Sequence, residues 1–228
     1  MKFVKIPGKD FEMSVYQCTQ VEWQKVMGNN PSYFKGNKNP VEQVSWNDVQ
    51  EFLSKVNSKK GKYTYRLPTE EEWEYACRAG STTDFCFGND EKELEDYAWF
   101  YTNSGNKVHS VGLKKPNKFG LYDMHGNVWE WCQDLWFKDS SYRVLRGGSW
   151  YGDPLFLRSA QRSNGDAGLR YFYIGFRLVR TSLLPSNALT LPSAHMKQRM
   201  WRAYRAKARR DFLALWKEMK MDRFSKKL

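Results

Sequence analysis

Three short segments in the first 80 residues carry apolar side chains at helical spacing. Thr19 followed by Glu22 is a capping-box pair, in which hydroxyl and carboxylate satisfy helix-start N–H groups reciprocally, and this helix is expected to stop near Gly28. Ser45 opens a second helix with Val49, Phe52, Leu53 and Val56 on one face. Thr69 and Glu72 cap a third, which runs through Trp73, Ala76 and Cys77 to Gly80. From 81 to 180 the pattern changes. Gly, Asn, Pro and Ser clusters alternate there with short aromatic or β-branched runs, as at 173–176 and, earlier, at 63–65. No internal repeat is visible. The pattern predicts an α+β body over residues 1–180 with few helices, short strands and much ordered loop. A Pro- and Ser-containing linker is expected at 181–194. In the tail, 195–228, Met196, Met200, Tyr204, Ala208, Phe212, Trp216 and Met219 fall on one face of a predicted helix.

Composition sharpens this division. With 10 Trp, 13 Tyr and 14 Phe in 228 residues, the chain has ample material for a packed core. The net charge of +12 is unevenly spread: residues 181–228 hold 12 Lys plus Arg against 3 Asp plus Glu, leaving the body near neutrality. The basic tail is best read as a helix that packs or self-associates. A nucleic-acid arm is less favoured because no base-reading motif accompanies it. No apolar run approaches the ~20 residues of a membrane span, and the N-terminal residues lack a signal-peptide core, so a cytoplasmic location is expected. Cys18, Cys77, Cys86 and Cys132 lack metal-ligand spacing and read as reduced core thiols.

Five blocks follow one another along the body: NPSYFKGNKNPVEQVSW at 30–46, RLPTEEEWEYACRAG at 66–80, FGLYDMHGNVWEWCQD at 119–134, RVLRGGSW at 143–150 and IGFRLVR at 174–180. Together and in this order they closely resemble the formylglycine-generating-enzyme (sulfatase-modifying factor) family. The resemblance covers roughly residues 11–180 and implies a C-type-lectin-like fold. The family's enzymes oxidise a substrate cysteine with oxygen and a copper ion held by two cysteines between the GGSW and GFR blocks. Here that stretch, YGDPLFLRSAQRSNGDAGLRYFY at 151–173, contains no cysteine. Soft copper and a nucleophilic redox step both need thiolate, so neither copper nor this catalysis is expected. An iron-using branch needs a histidine cluster, whereas His109, His125 and His195 include no adjacent pair. The resemblance further implies a structural Ca²⁺ at the GNVWEW block, with carboxylates from Asp123 and Glu130 and carbonyls from Gly126 and Val128.

The stretch where the catalytic cysteines are missing has its own composition. It lacks Lys, Glu, Met and Trp and has one Gln, Gln161, although these five types are common elsewhere in the chain. They are the residues that codons ending in a pyrimidine cannot encode. Asn codons AAY with randomised adenines would yield the complementary set, and in this the chain is similar to variable proteins of diversity-generating retroelements. Candidate diversified, ligand-binding positions are Tyr151, Gly152, Asp153, Leu155 and Phe156; then Ser163, Asn164, Gly165, Asp166, Gly168 and Leu169; then Tyr171, Phe172 and Tyr173. Arg158, Ser159, Ala160, Arg162 and Arg170 read as scaffold, and Gln161 does not fit an AAY origin. Aromatic side chains among adaptable polar ones suit a protein ligand, as in antibody paratopes. Three readings stand: a diversified binder, an inactive homologue acting as a fixed interaction module through an ordinary Asn/Gly/Asp-rich loop, and an enzyme in which His109 or His125 would have to act.

Overall fold

The computed structural model describes residues 1–59 and 61–183. The linker beyond 183 and the tail helix read from the sequence lie outside the described residues. The three helices form where their caps are: α1 Gln20–Met27, α2 Trp46–Asn57 and α3 Glu70–Arg78, each preceded by its Thr or Ser N-cap. Glu22 accepts the Thr19 N–H at 3.0 Å and Glu72 accepts that of Thr69 at 2.9 Å. Gly28 ends α1 with φ 82°, a left-handed conformation that a side chain would strain. A one-turn α4, Leu94–Tyr97, follows a short 3₁₀ segment.

Among the described residues eight strands build two four-stranded sheets. In the first, β1 Phe3–Lys5, β2 Glu12–Ser14, β8 Val179–Ser182 and β3 Tyr63–Arg66 lie side by side in that order, all antiparallel. The two ends of the body thus meet, Met13 opposite Val179. β8 continues past Arg180, because Thr64 and Tyr63 offer partners to Thr181 and Ser182, two residues the sequence assigned to the linker. In the second sheet the order is β6 Arg162–Asp166, β5 Tyr142–Arg146, β4 Trp129–Leu135 and β7 Ile174–Gly175, with only the β4–β7 pair parallel.

One apolar cluster joins the sheets to α1 and α2, gathering Trp23, Phe52, Leu67, Trp131 and Phe176. A second packs Trp73 and Cys77 of α3 against Met13, Leu121, Met124 and Val179. Two charged side chains, Arg146 and Arg177, are among the fully buried ones. Both find carboxylates: Arg177 pairs with Glu130 at 2.6 Å, and Arg146 with Glu74. None of the described helices is long and apolar enough to cross a membrane.

Candidate ligand-binding surface

After β5 the chain reverses at Gly147 and Gly148. Gly148 has φ 75°, and a Cβ there would stand 2.8 Å from the Phe156 carbonyl, so this turn lies tight against the segment that follows. That segment makes a 3₁₀ turn at Pro154–Leu157, enters β6 and returns through 167–173 to β7. A cleft of about 400 Å³ opens between these pieces. Tyr151, Gly152, Asp153 and Phe156 line it from the 3₁₀ side; Ser163, Asn164, Leu169 and Tyr173 line it from β6 and the return. Eight of the fourteen sequence candidates therefore converge on one concavity. Trp129, Leu145, Ser149 and Ile174 complete its lining. These four sit in the GNVWEW, RVLRGGSW and IGFR blocks, where fold signals mask any sign of ligand contact.

The other six candidates do not line the cleft. Leu155 is exposed, and Tyr171 is exposed and stacks on Tyr173 with ring centroids 5.0 Å apart. Phe172 is half-buried against Trp150 and Phe34. Asp166 is a turn residue: its carboxylate accepts the Gly168 N–H at 2.9 Å and the Ser141 hydroxyl at 2.7 Å, which hold it below the ordinary Asp range. Gly168 is the other half of that turn. Gly165 corrects the sequence reading. It is buried in mid-strand, and a Cβ there would come within 2.9 Å of the Trp131 ring and 3.0 Å of Leu169, so this position is scaffold. Gly165→Ala is expected to destabilise the domain by about 1–3 kcal/mol through overpacking, read as a lower urea midpoint, whereas Asp153→Ala stays within about 0.5 kcal/mol.

Groups outside the candidate positions hold the backbone of this surface. Buried Arg146 donates to the Ser159 carbonyl at 2.9 Å and to that of Gln161. His125 Nδ1 lies 2.7 Å from the Leu157 carbonyl, and the Ser159 N–H reaches Asp84 at 2.7 Å. Leu157 itself is fully buried beside Phe85, Leu94 and Phe100. Arg162 grips Glu70 with two bonds, and Arg170 grips Asp48 with two at 2.6 Å. Gln43 and Asn47 donate backbone N–H groups to the Tyr171 and Ala167 carbonyls. Ser159, Arg162 and Arg170 therefore anchor the loops, and Arg158 stands 3.6 Å from the Asp84 carboxylate. Gln161 lies in the same tethered stretch and not in the cleft, so its codon bears on the tether alone. The role of Arg146 was not legible, since its partners stand 13 to 72 positions away.

Asp48 both caps α2 and binds Arg170. Partial burial pushes its carboxyl up, but the bonds from Arg170 and Ser45 outweigh this and hold it below the usual Asp value. A depressed carboxylate stabilises the fold fully above the unfolded value of about 3.9, and the contribution is lost as pH falls through the folded value. Asp48→Asn is expected to cost about 1 kcal/mol at pH 7, with the gap in urea midpoints closing as the pH falls below the unfolded value of about 3.9.

The predicted calcium positions also converge, but around a side chain. The carbonyls of Asp123, Gly126 and Val128 and Oε1 of Glu130 all surround Nε2 of Gln17, at 3.3, 3.3, 3.0 and 2.9 Å. Asp123 contributes its backbone here; its carboxylate turns aside to accept the Gly112 N–H at 2.8 Å, and complete burial raises its pKa to about 6. Glu130 is already neutralised by Arg177 and accepts the Trp73 indole N–H at 2.7 Å. Calcium takes 6–8 oxygens and favours uncompensated carboxylates. The set as folded does not fit that ion.

The histidines and thiols are likewise committed. His125 is buried; its Nε2 accepts the Cys86 N–H at 3.2 Å, leaving Nδ1–H for Leu157. His109 stacks on Trp99 at 3.7 Å with Nε2 on the Ser104 carbonyl at 2.7 Å, and burial pushes its pKa down. All four cysteines are buried and free, and burial pushes the Cys77 thiol up to about 12. Among the described residues no group of three or more His, Cys, Asp and Glu side chains is placed to hold a metal.

Comparison with known proteins agrees with this architecture. The chain is 31% identical over 195 residues to chaperone protein LppX of Paenibacillus barcinonensis, covering 62% of this chain and 69% of that protein. It is 32% identical over 184 residues to the formylglycine-generating enzyme of Mus musculus, covering 68% of this chain and 48% of the enzyme, so it spans about half of that relative. Among solved structures, Treponema denticola variable protein 1 matches with a TM-score of 0.68 at 31% identity, over 78% of this chain and 98% of that one. The fold is mixed α+β and C-type-lectin-like. The family model that describes the sulfatase-modifying factor enzyme 1-like domain matches residues 1–182. With four-fifths of its length so matched, the chain belongs to the sulfatase-modifying factor enzyme 1-like family.

Proposed function

We propose that this chain is a non-catalytic ligand-binding protein, the variable target protein of a diversity-generating retroelement, with a protein ligand held at the 151–173 surface. The observation that carries the reading is a separation of labour within that segment. Tyr151, Asp153, Phe156, Ser163 and Asn164, which lie outside the core clusters, line the cleft beside the core-packed Leu169 and Tyr173, while the segment that carries them is tied by Arg146 and His125 through its backbone and by Glu70 and Asp48 through Arg162 and Arg170. A surface built so tolerates exchange at the cleft without unfolding, as a diversified paratope requires. Tyr151, Phe156 and Tyr173 supply rigid contact area, and Asp153, Ser163 and Asn164 supply adaptable polar contacts. The likeness to a protein named as variable supports the same reading. The loss of both thiols from the stretch before GFR, and the commitment of His109 and His125 to structural bonds, argue against a catalyst.

A display library tests the proposal. Randomising Tyr151, Asp153, Phe156, Ser163 and Asn164 together is expected to leave most clones folded and to yield binders against several unrelated proteins. Randomising Arg146, His125, Ser159 and Arg162 is expected to abolish surface expression. A cleft library that fails to fold, or one that folds and yields no binder from any of the panel, would sink the reading.

A further inference from the structure

The oxygen cage around Gln17 is a separate feature from the cleft. Gln17 sits between β2 and α1 and is 1% exposed. Its backbone neighbourhood is fixed, since the Cys18 N–H donates to Phe176 at 2.8 Å and the Cys18 carbonyl accepts from Val41 at 2.8 Å. From there the side chain reaches residues 106 to 113 positions later and ends among four oxygens. An amide NH₂ has two protons, and only its nitrogen end suits such a cluster, because the oxygen end would face four acceptors. Nε2 therefore supplies positive charge density where four oxygen dipoles would otherwise repel one another. Gln17 Oε1 is left without a hydrogen-bond partner, a buried penalty that the opposite orientation would multiply.

Charge points the same way. Of the four oxygens around Nε2 one belongs to a carboxylate, that of Glu130, which is in a two-bond pair with Arg177. The Glu130 charge is thus compensated before any ion arrives, and a divalent cation would enter beside a buried guanidinium, with the Asp123 carboxylate already held by the Gly112 N–H.

We propose that the Gln17 side-chain amide is a built-in substitute for the cation such a cage would otherwise attract, so that the domain folds and presents its cleft without a divalent metal. The device matters for the surface because the cage lies on the stretch leading into β4, whose first residue, Trp129, lines the cleft. Binding at the cleft then proceeds unchanged at any calcium concentration.

Thermal unfolding of the chain in 1 mM EDTA and in 5 mM CaCl₂ is one arm of the test, with the metal content of the purified protein measured in parallel. Midpoints that agree and calcium well below one per chain are expected; a saturable rise with Ca²⁺ would overturn the proposal. The second arm is Gln17→Met, which keeps the volume and removes the donor. A midpoint lower by roughly 5–10 °C is expected, since the buried carbonyls of Gly126 and Val128 lose this donor while Asp123 and Glu130 keep Arg177. An unchanged midpoint would show that Gln17 merely fills space and would equally overturn the proposal. Should Gln17→Met not fold, the wild-type comparison decides alone. Neither arm involves the cleft's ligand, so its failure is distinct from a failure of the binding reading.

Discussion

Arg177→Met is expected to lower the stability of the domain by about 3–5 kcal/mol, an effect at the upper end for a single substitution. Arg177 and Glu130 are both fully buried, joined by bonds of 2.6 and 2.8 Å. Arg177 also donates to the carbonyls of Tyr122 at 2.9 Å and Ser14 at 3.3 Å, linking the stretch before β4 to β2 of the first sheet. Removing the guanidinium leaves the Glu130 carboxylate uncompensated with only Trp73 and Gln17 as donors. Most of the loss is that stranded charge and not the net worth of the pair. The double variant Arg177→Met, Glu130→Leu should therefore be more stable than Arg177→Met alone. Urea unfolding monitored by tryptophan fluorescence measures both; equal midpoints for the single variant and the wild type would remove the pair from the account.

Truncating the cleft should produce the opposite profile, a large effect on binding and little on stability. In a clone selected against a protein ligand with the wild-type aromatics retained, Tyr151→Ala and Phe156→Ala together are expected to weaken the complex by about 100-fold or more, as loss of central aromatic anchors does. Tyr151 is 60% and Phe156 43% exposed, so neither holds the core together. The double variant should unfold within about 1–2 kcal/mol of its parent, the scale of half-exposed truncations. Surface plasmon resonance and calorimetry separate the two quantities. A variant that unfolds as readily as Arg177→Met would mean that the cleft side chains are structural.

The helices were legible because their signals are local. Thr19, Ser45 and Thr69 each carry an acidic residue three positions on, and each starts a helix. The two sheets were not legible as sheets. Strands of two to seven residues leave little period to read, and the architecture came from the order of five blocks. At the cleft, the composition of 151–173 pointed to a segment but could not separate lining from support. Gly165 has the composition of a diversified position and the burial of a core residue, because Trp131 occupies the space a side chain would need. The calcium positions came together as a set, yet the decisive group, Gln17, lies more than a hundred residues earlier and carries no motif. Arg146 was equally silent: an arginine before GGSW does not reveal that it will clamp the carbonyls of Ser159 and Gln161.

Exchange at 151–173 confined to side chains the scaffold does not need would leave its mark in the gene, to be read by sequencing it with its flanks in many sister clones. The account expects a near-copy of codons 146–180 nearby, differing at adenines, with substitutions concentrated at Tyr151, Asp153, Phe156, Ser163, Asn164, Leu169 and Tyr173 and none at Gly165, Ser159 or Arg162. A gene invariant across clones and without such a repeat would contradict it, and the chain would then stand as a fixed, inactive family member.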